Sequence, residues 1–283
     1  MSSIKLVECP RDAMQGLQDF VPTELKAQYI NLLLKVGFDT IDFGSFVSAK
    51  AIPQMRDTAE LVKLLDLSHT NTKLLAIIAN ERGAKDACEF EEINYLGFPF
   101  SVSETFQQRN TNSSIEESLT RVEVIQNLCH HNKKELVVYL SMGFGNPYGD
   151  DWNLEILSQW TEVLIKKGIK TLSLADTTGV STVEKINEIF PYLLVQYPQI
   201  EWGLHLHSTP ESSFQKIEAA FAAGCTRMDS AIKGFGGCPM ATDNLTGNIA
   251  TENVLTYLKE KNHVNFINES AWEEAFLFSS KIF

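Results

Sequence analysis

Eight short β-rich runs alternate with longer stretches of helical apolar spacing, and one glycine-marked junction recurs between them. Together these predict an α/β fold: a single-domain (β/α)8 TIM barrel over about residues 4–262, followed by a short C-terminal helical tail over about 268–283. The runs are 4–8, 40–43, 74–79, 93–98, 136–142, 171–175, 202–207 and 227–232. They are mostly apolar and only partly alternating, as suits parallel strands covered by helices. Between them, 25–36, 115–129, 154–166 and 214–222 carry apolar residues at i, i+3 and i+4, the period of a helix with one buried face. At Gly37, Gly168 and Gly224 a helical stretch ends, a glycine suited to the left-handed cap follows, and a strand begins within a few residues. Eight such units with no Pro/Gly/Ser-rich linker favour a closed barrel over an open doubly wound sheet with a helical subdomain. Residues 143–149 are glycine-rich but miss the G-x-G-x-x-G spacing, and read as the loop after the fifth strand. The tail, 269–283, is apolar and aromatic enough to be a docking helix or an oligomer contact.

The composition narrows the function classes. The chain has 283 residues, of which 44% are hydrophobic, with 16 Gly and 9 Pro, which excludes collagenous, low-complexity and disordered classes. With 24 Lys+Arg against 36 Asp+Glu the formal charge is −12, so neither nucleic acid nor an anionic membrane is an expected partner. An anionic small ligand needs only a few local cations and stays open. The five cysteines, at 9, 88, 129, 225 and 238, are odd in number and widely spaced. They read as reduced thiols of a cytoplasmic protein. The N-terminus enters a strand directly, with no signal-like apolar stretch, and no apolar run approaches a membrane span.

In such a barrel the chemistry sits where strands end and the following loops begin. The first run ends Glu8-Cys9-Pro10-Arg11-Asp12, placing a cation beside a carboxylate. The seventh ends in His205-Leu206-His207, and residues i and i+2 of a strand share a face, so both imidazoles address one mouth at a spacing suited to one metal. The eighth opens into Lys233-Gly234-Phe235-Gly236-Gly237-Cys238-Pro239, where Gly236 and Gly237 let the backbone approach a ligand and Cys238 offers a thiol over the mouth. Asn248 can donate a neutral oxygen, and Glu252 follows one helical turn later. Asp12, His205, His207 and Asn248 form an oxygen/nitrogen set without sulfur, which favours octahedral Mg2+ or Mn2+ over Zn2+. Asp42 lies inside the second strand, facing the barrel interior or the mouth near Arg11, and Asp176 ends the sixth, where it can touch substrate or orient a ligand. The remaining histidines, His69, His130, His131 and His263, read as solvated.

These stretches resemble a known family. Residues 7–15 (VECPRDAMQ), 41–55 (IDFGSFVSAKAIPQM), 173–179 (SLADTTG), 203–207 (GLHLH) and 234–252 (GFGGCPMATDNLTGNIATE) are similar, in order, to motifs of the 3-hydroxy-3-methylglutaryl-CoA lyases, metal-dependent barrel enzymes that break carbon–carbon bonds. The resemblance implies that Arg11 is the catalytic arginine, that Asp12, His205, His207 and Asn248 hold a divalent metal, and that Cys238, Asp42, Glu252 and His205 serve catalysis. It places Arg11, Gln15, Asp176, Gly236 and Gly237 against substrate. It also implies an acyl-CoA substrate, cleavage to acetyl-CoA and acetoacetate, a role in leucine degradation and a homodimer. The chain departs from the family pattern in Ala13-Met14, where Gly-Leu is usual, in Asp42, where glutamate is usual, and in a 238–248 loop one residue longer. Two other readings are a Claisen-type synthase or lyase acting on another 3-hydroxyacyl-CoA or 2-oxo acid, and a barrel that binds CoA or metal without turnover.

Overall fold

The computed structural model describes residues 4–237, 246–263 and 266–283. Ten strands occur among them: β1 (Lys5–Glu8), β2 (Thr40–Ser45), β3 (Lys73–Ile77), β4 (Ile93–Ser101), β5 (Glu135–Ser141), β6 (Thr171–Ala175), β7 (Glu201–His205), β8 (His207–Ser208), β9 (Arg227–Ser230) and β10 (Gly247–Asn248). Strands β1 to β7 and β9 close into a barrel in sequence order, every pair parallel, while β8 and β10 form a separate antiparallel ribbon. The helices are α1 (Pro10–Met14), α2 (Thr23–Leu33), α3 (Thr58–Leu61), α4 (Glu81–Cys88), α5 (Glu104–Thr111), α6 (Ile115–His131), α7 (Leu154–Lys166), α8 (Val183–Gln196), α9 (Pro210–Ala222), α10 (Thr251–Glu260) and α11 (Glu269–Phe278). All eight expected strands are present. Gly37, Gly168 and Gly224 have φ of 101°, 85° and 92°, the left-handed conformation that the recurring junction requires.

Two strand ends differ from the sequence reading, and both differences build the mouth. The seventh run does not continue to His207: the barrel strand stops at His205, and His207–Ser208 pairs instead with residues 247–248. The eighth stops at Ser230, after which Ala231 bridges Ala250 and a short 3-10 turn, Ile232–Gly234, carries the chain outward. In each case hydrogen bonds from a segment beyond residue 245 replace those of the barrel neighbour. Ala231 donates to Ile249, and Ile249 to Leu206.

Leu, Ile, Val and Phe on the outward faces of the strands form one continuous core with the helices, each fully buried side chain contributing about 1.5–3 kcal/mol. Inside the barrel, Leu75, Ile77, Val137 and Tyr139 pack together on one side. The tail resolves one of the two alternatives read from the sequence. Asn268 donates its backbone N–H to Val36 at 2.8 Å and caps α11 with its side chain, Trp272 meets Phe38 edge to face, and Phe278 stacks on Tyr29. It therefore docks on α2 of its own barrel. No described helix is long and apolar enough to cross a membrane. Cys9, Cys88, Cys129 and Cys225 are free thiols, as expected; Cys238 lies outside the described residues.

Candidate active site

Pro10 starts α1 immediately after β1, and this single turn presents Arg11, Asp12 and Gln15 at the barrel mouth. Asp42, from β2, grips the guanidinium: Arg11 Nε donates to both carboxylate oxygens at 3.1 Å, and Nη2 donates to Oδ2. Arg11 Nη1 donates to Asp12 Oδ1 at 3.0 Å and to Gln15 Oε1 at 2.9 Å. The fork is thus fixed in plane by two carboxylates, and among the described residues one Nη2 hydrogen is left for a ligand. Burial pushes the Asp42 carboxyl up, to about 6, against the pull of Arg11, so it stays ionised at neutral pH. For Asp12 burial acts in the same upward direction, but Arg11, then His205 and His207, and the Asn248 hydrogen bond outweigh it and hold the carboxyl down at about 2.

Asp12, His205 and His207 each offer a ligand atom, and these atoms lie within 4.8 Å of one another. Both rings are fixed from behind. His207 Nδ1 lies 3.2 Å from the Thr177 carbonyl, and burial followed by the neighbouring His205 depresses its pKa to about 4. The ring is therefore neutral, Nδ1–H donates to Thr177, and Nε2 carries a lone pair. That Nε2 is buried without a partner among the described residues. His205 Nδ1 lies 3.1 Å from Asp229 Oδ2; burial lowers its proton affinity, but the Asp229 bond and charge more than restore it. A carboxylate behind one imidazole and a carbonyl behind the other are the arrangement that orients metal-bound histidines. One oxygen and two nitrogen donors with an orphaned lone pair fit a divalent ion. Cys9, His205 and Asp229 make a second cluster, in which burial and the carboxylates Asp229, Asp42 and Asp12 push the Cys9 thiol up and its Sγ lies 3.7 Å from the Val7 carbonyl.

The β8–β10 ribbon places Asn248 directly opposite His207. Asn248 Nδ2 donates to Asp12 Oδ2 at 2.6 Å and to the Phe235 carbonyl at 2.8 Å. A Cβ at Gly236 would stand 2.5 Å from that nitrogen and 2.9 Å from the Asp12 carbonyl, and Gly236 has φ of +102°, so only glycine allows this approach. Behind His207, the buried Lys216 of α9 donates to its carbonyl at 2.7 Å and to Asp176 Oδ2 at 3.1 Å. The cleft over these groups is walled by Val47, Ile52 and Ile77 on one side and by Tyr139, Ser141 and Thr177 on another.

A family model described as HMGL-like matches residues 4–273. The chain belongs to the HMGL-like family. The hydroxymethylglutaryl-CoA lyase of Bacillus subtilis is 34% identical over 251 residues, which cover 89% of this chain and 83% of the relative. A solved structure of the Bacillus subtilis HMG-CoA lyase matches with a TM-score of 0.91 at 30% identity, covering 99% of this chain and 94% of that one. The HMG-CoA lyase of Acinetobacter baumannii, solved in complex with coenzyme A and 3-methylmalate, matches with a TM-score of 0.90 at 29% identity, covering 99% and 91%.

Within this HMGL-like barrel the expected site residues divide. Arg11, Asp12, Gln15, His205 and His207 line the cleft, and Asp42 and Asn248 each bond to one of them. Gly237 approaches Gln15 through its carbonyl at 3.5 Å. Three of the residues make other contacts within the described structure. Asp176 is fully buried, accepts from Ser181 and Lys216 and does not line the cleft; of the two roles read for it, orienting a ligand fits the lysine it shares with the His207 carbonyl. Glu252 does not line it either. Its carboxylate accepts the backbone N–H of Lys233 at 3.0 Å, where φ is 61°, and so shapes the root of the glycine loop. Asn248 meets Asp12 through its amide nitrogen, which sets its side chain beside the proposed metal donors. Of the family departures, Met14 is wholly buried in the helix-side core, and neither it nor Ala13 lines the cleft. Asp229 and Lys216 were not singled out from sequence. Asp229 carried a usable signal, a carboxylate at the end of an otherwise barrel-forming run; Lys216, on a helix face, carried none.

Proposed function

We propose that this protein cleaves 3-hydroxy-3-methylglutaryl-CoA to acetyl-CoA and acetoacetate with a bound divalent metal, Mg2+ or Mn2+. The observation that carries the reading is the convergence of Asp12, His205 and His207 beside a guanidinium locked by Asp42, at the mouth of a barrel whose relatives bear that activity in their names. Asp12, His205 and His207 would hold the ion in the resting site. When bound, it would polarise the oxygens of the substrate and lower the pKa of the tertiary hydroxyl.

The residues of the chain account for the rest. Asp229 on Nδ1 makes His205 the more basic ring, so the hydroxyl proton would pass to His205 Nε2 only where that nitrogen is not holding the ion, while burial keeps His207 neutral. The C2–C3 bond then breaks and leaves the enolate of a thioester. Arg11, immobilised by Asp42 and Asp12, presents its remaining N–H to the developing oxyanion without reorganising. In the same reading Cys238, or a water it orders, returns a proton to the carbanion carbon, Gln15 and the backbone of Gly236 and Gly237 border the substrate, the protein is a single-domain cytoplasmic homodimer, and the exposed Leu277 of α11 is an apolar surface available to a second copy.

Purified protein assayed for acetoacetate release from 3-hydroxy-3-methylglutaryl-CoA, with and without Mg2+ or Mn2+, tests the reading. Metal-dependent cleavage is expected, together with His207→Ala protein that folds but binds Mn2+ weakly. Turnover of a different 3-hydroxyacyl-CoA with none of this one would overturn the substrate assignment, and unchanged Mn2+ affinity in the variant would overturn the ligand assignment.

A further inference from the structure

The interior of the barrel beneath His205 is unusually polar. Arg227, 1% exposed, points from β9 into the barrel. Its Nη1 lies 3.5 Å from Glu201 and 3.8 Å from Asp39, while Nε and Nη2 have no partner among the described residues. Asp229, two positions along the same strand and so on the same inward face, gives Oδ2 to His205 and leaves Oδ1 without a partner. Ser173 of β6, 0% exposed, has an unpartnered Oγ.

These orphans lie on neighbouring strands of the barrel. Strands β6, β7 and β9 are neighbours; Ser173 pairs with Gly203, and His205 with Asp229, which sets Gly203 beside Arg227. A methyl group at Gly203 would stand 3.2 Å from Arg227 Cδ and 3.3 Å from Ser173 Oγ. The missing side chain at Gly203 thus lets the Arg227 stem and the Ser173 hydroxyl pack side by side over its backbone. Arg227 and Asp229 form no direct ion pair there. Buried charged groups are rarely left unbonded, and a polar internal space with several donors and acceptors takes an ordered water.

We propose that an internal water, accepting from Arg227 and donating to Asp229 Oδ1 and Ser173 Oγ, joins Arg227 to the Asp229–His205 pair and makes Arg227 a positioning residue for His205. Asp229 Oδ1, Ser173 Oγ and one of the two orphaned guanidinium nitrogens then have a partner: the water takes an N–H from the guanidinium and spends its two hydrogens on the carboxylate and the hydroxyl. With Oδ1 held, the Asp229 carboxylate cannot turn, so Oδ2 keeps the His205 ring in one orientation with Nε2 at the cleft. The positioning role rests on the reading of His205 as a metal donor; the water does not.

Two measurements test this separately. A crystal structure of the metal-free protein, fine enough to show ordered waters, should place one within hydrogen-bond distance of Arg227 and Asp229 Oδ1. A dry space, or a direct Arg227–Asp229 bond, would overturn the proposal. Mn2+ titration by calorimetry should then show Arg227→Met weakening binding about tenfold, the scale of losing a group that orients a ligand, but adding little further loss in an Asp229→Asn background. No weakening, or equal weakening in both backgrounds, refutes the positioning role. If Arg227→Met does not fold, Ser173→Ala decides the water: a lower Tm is expected because a hydrogen bond is lost, whereas a higher Tm means an unbonded hydroxyl was removed. An unaltered protein that binds no Mn2+ would remove the metal reading and leave the crystallographic test standing.

Discussion

Lys216→Met isolates the support behind His207. The lysine is 5% exposed and its ammonium touches two acceptors, the Asp176 carboxylate and the His207 carbonyl. Methionine keeps the length of the stem and removes the charge. Asp176, itself 0% exposed, is then left with the N–H and hydroxyl of Ser181 and no cation. Breaking one partner of a buried ion pair costs about 3–5 kcal/mol, because the other charge stays desolvated. A chain of 283 residues unfolds with an entropy of about 0.6 kcal/mol/K, from roughly 2.1 cal/mol/K per residue, so Tm should fall by about 5–8 °C. Thermal unfolding followed by circular dichroism measures it. Lys216→Met combined with Asp176→Asn should recover most of the loss, since the uncompensated charge is gone. A single variant within about 1 °C of the parent, or a double variant no better than the single, would refute the claim that this ion pair is what holds the strand end bearing His207.

Arg11→Lys keeps a charge but cannot reproduce the planar fork shared by Asp42, Asp12 and Gln15, so kcat should fall on the order of 10²–10³ while Mn2+ affinity is retained; wild-type kcat would exclude Arg11 from the chemistry. Glu8 accepts from Ile232 N–H and Thr251 Oγ1, and burial raises its carboxyl to about 8 from an ordinary 4.5. Between those values the folded state holds the proton and the unfolded state has released it, so stability should decline from about pH 4.5 to 8. Glu8→Gln should abolish that decline, worth at most about 5 kcal/mol, and equal pH slopes of Tm in the two proteins would contradict it. Cys9, Cys129 and Cys225 are buried, and burial raises the half-buried Cys88 as well. A thiol alkylator should therefore modify Cys238 first, with loss of activity in step. Peptide mapping that finds the label on Cys9 at partial inactivation would contradict this.

The barrel was legible in the sequence because its signals are local. The period of apolar residues, a glycine at each of three helix ends, and a proline starting the turn after β1 all act within a few residues of themselves, and each is where the periodicity places it. The His-x-His pair and the Arg-Asp pair were legible for the same reason: strand geometry and the position of strand ends suffice to aim them. What the sequence did not contain was the company each residue keeps. Asn248 stands opposite His207 only because the chain leaves the barrel after His205 and pairs with a segment some forty residues later. The motifs that hold Glu252 and Asp176 do not say what each touches: one holds the backbone of Lys233 and the other a buried lysine from α9. Lys216 and Arg227 carry no motif at all, and Asp229 only its place at a strand end. Their importance comes from desolvation and from partners on other strands and helices, and a charge acquires those only once the tertiary fold has removed it from water and chosen what it faces.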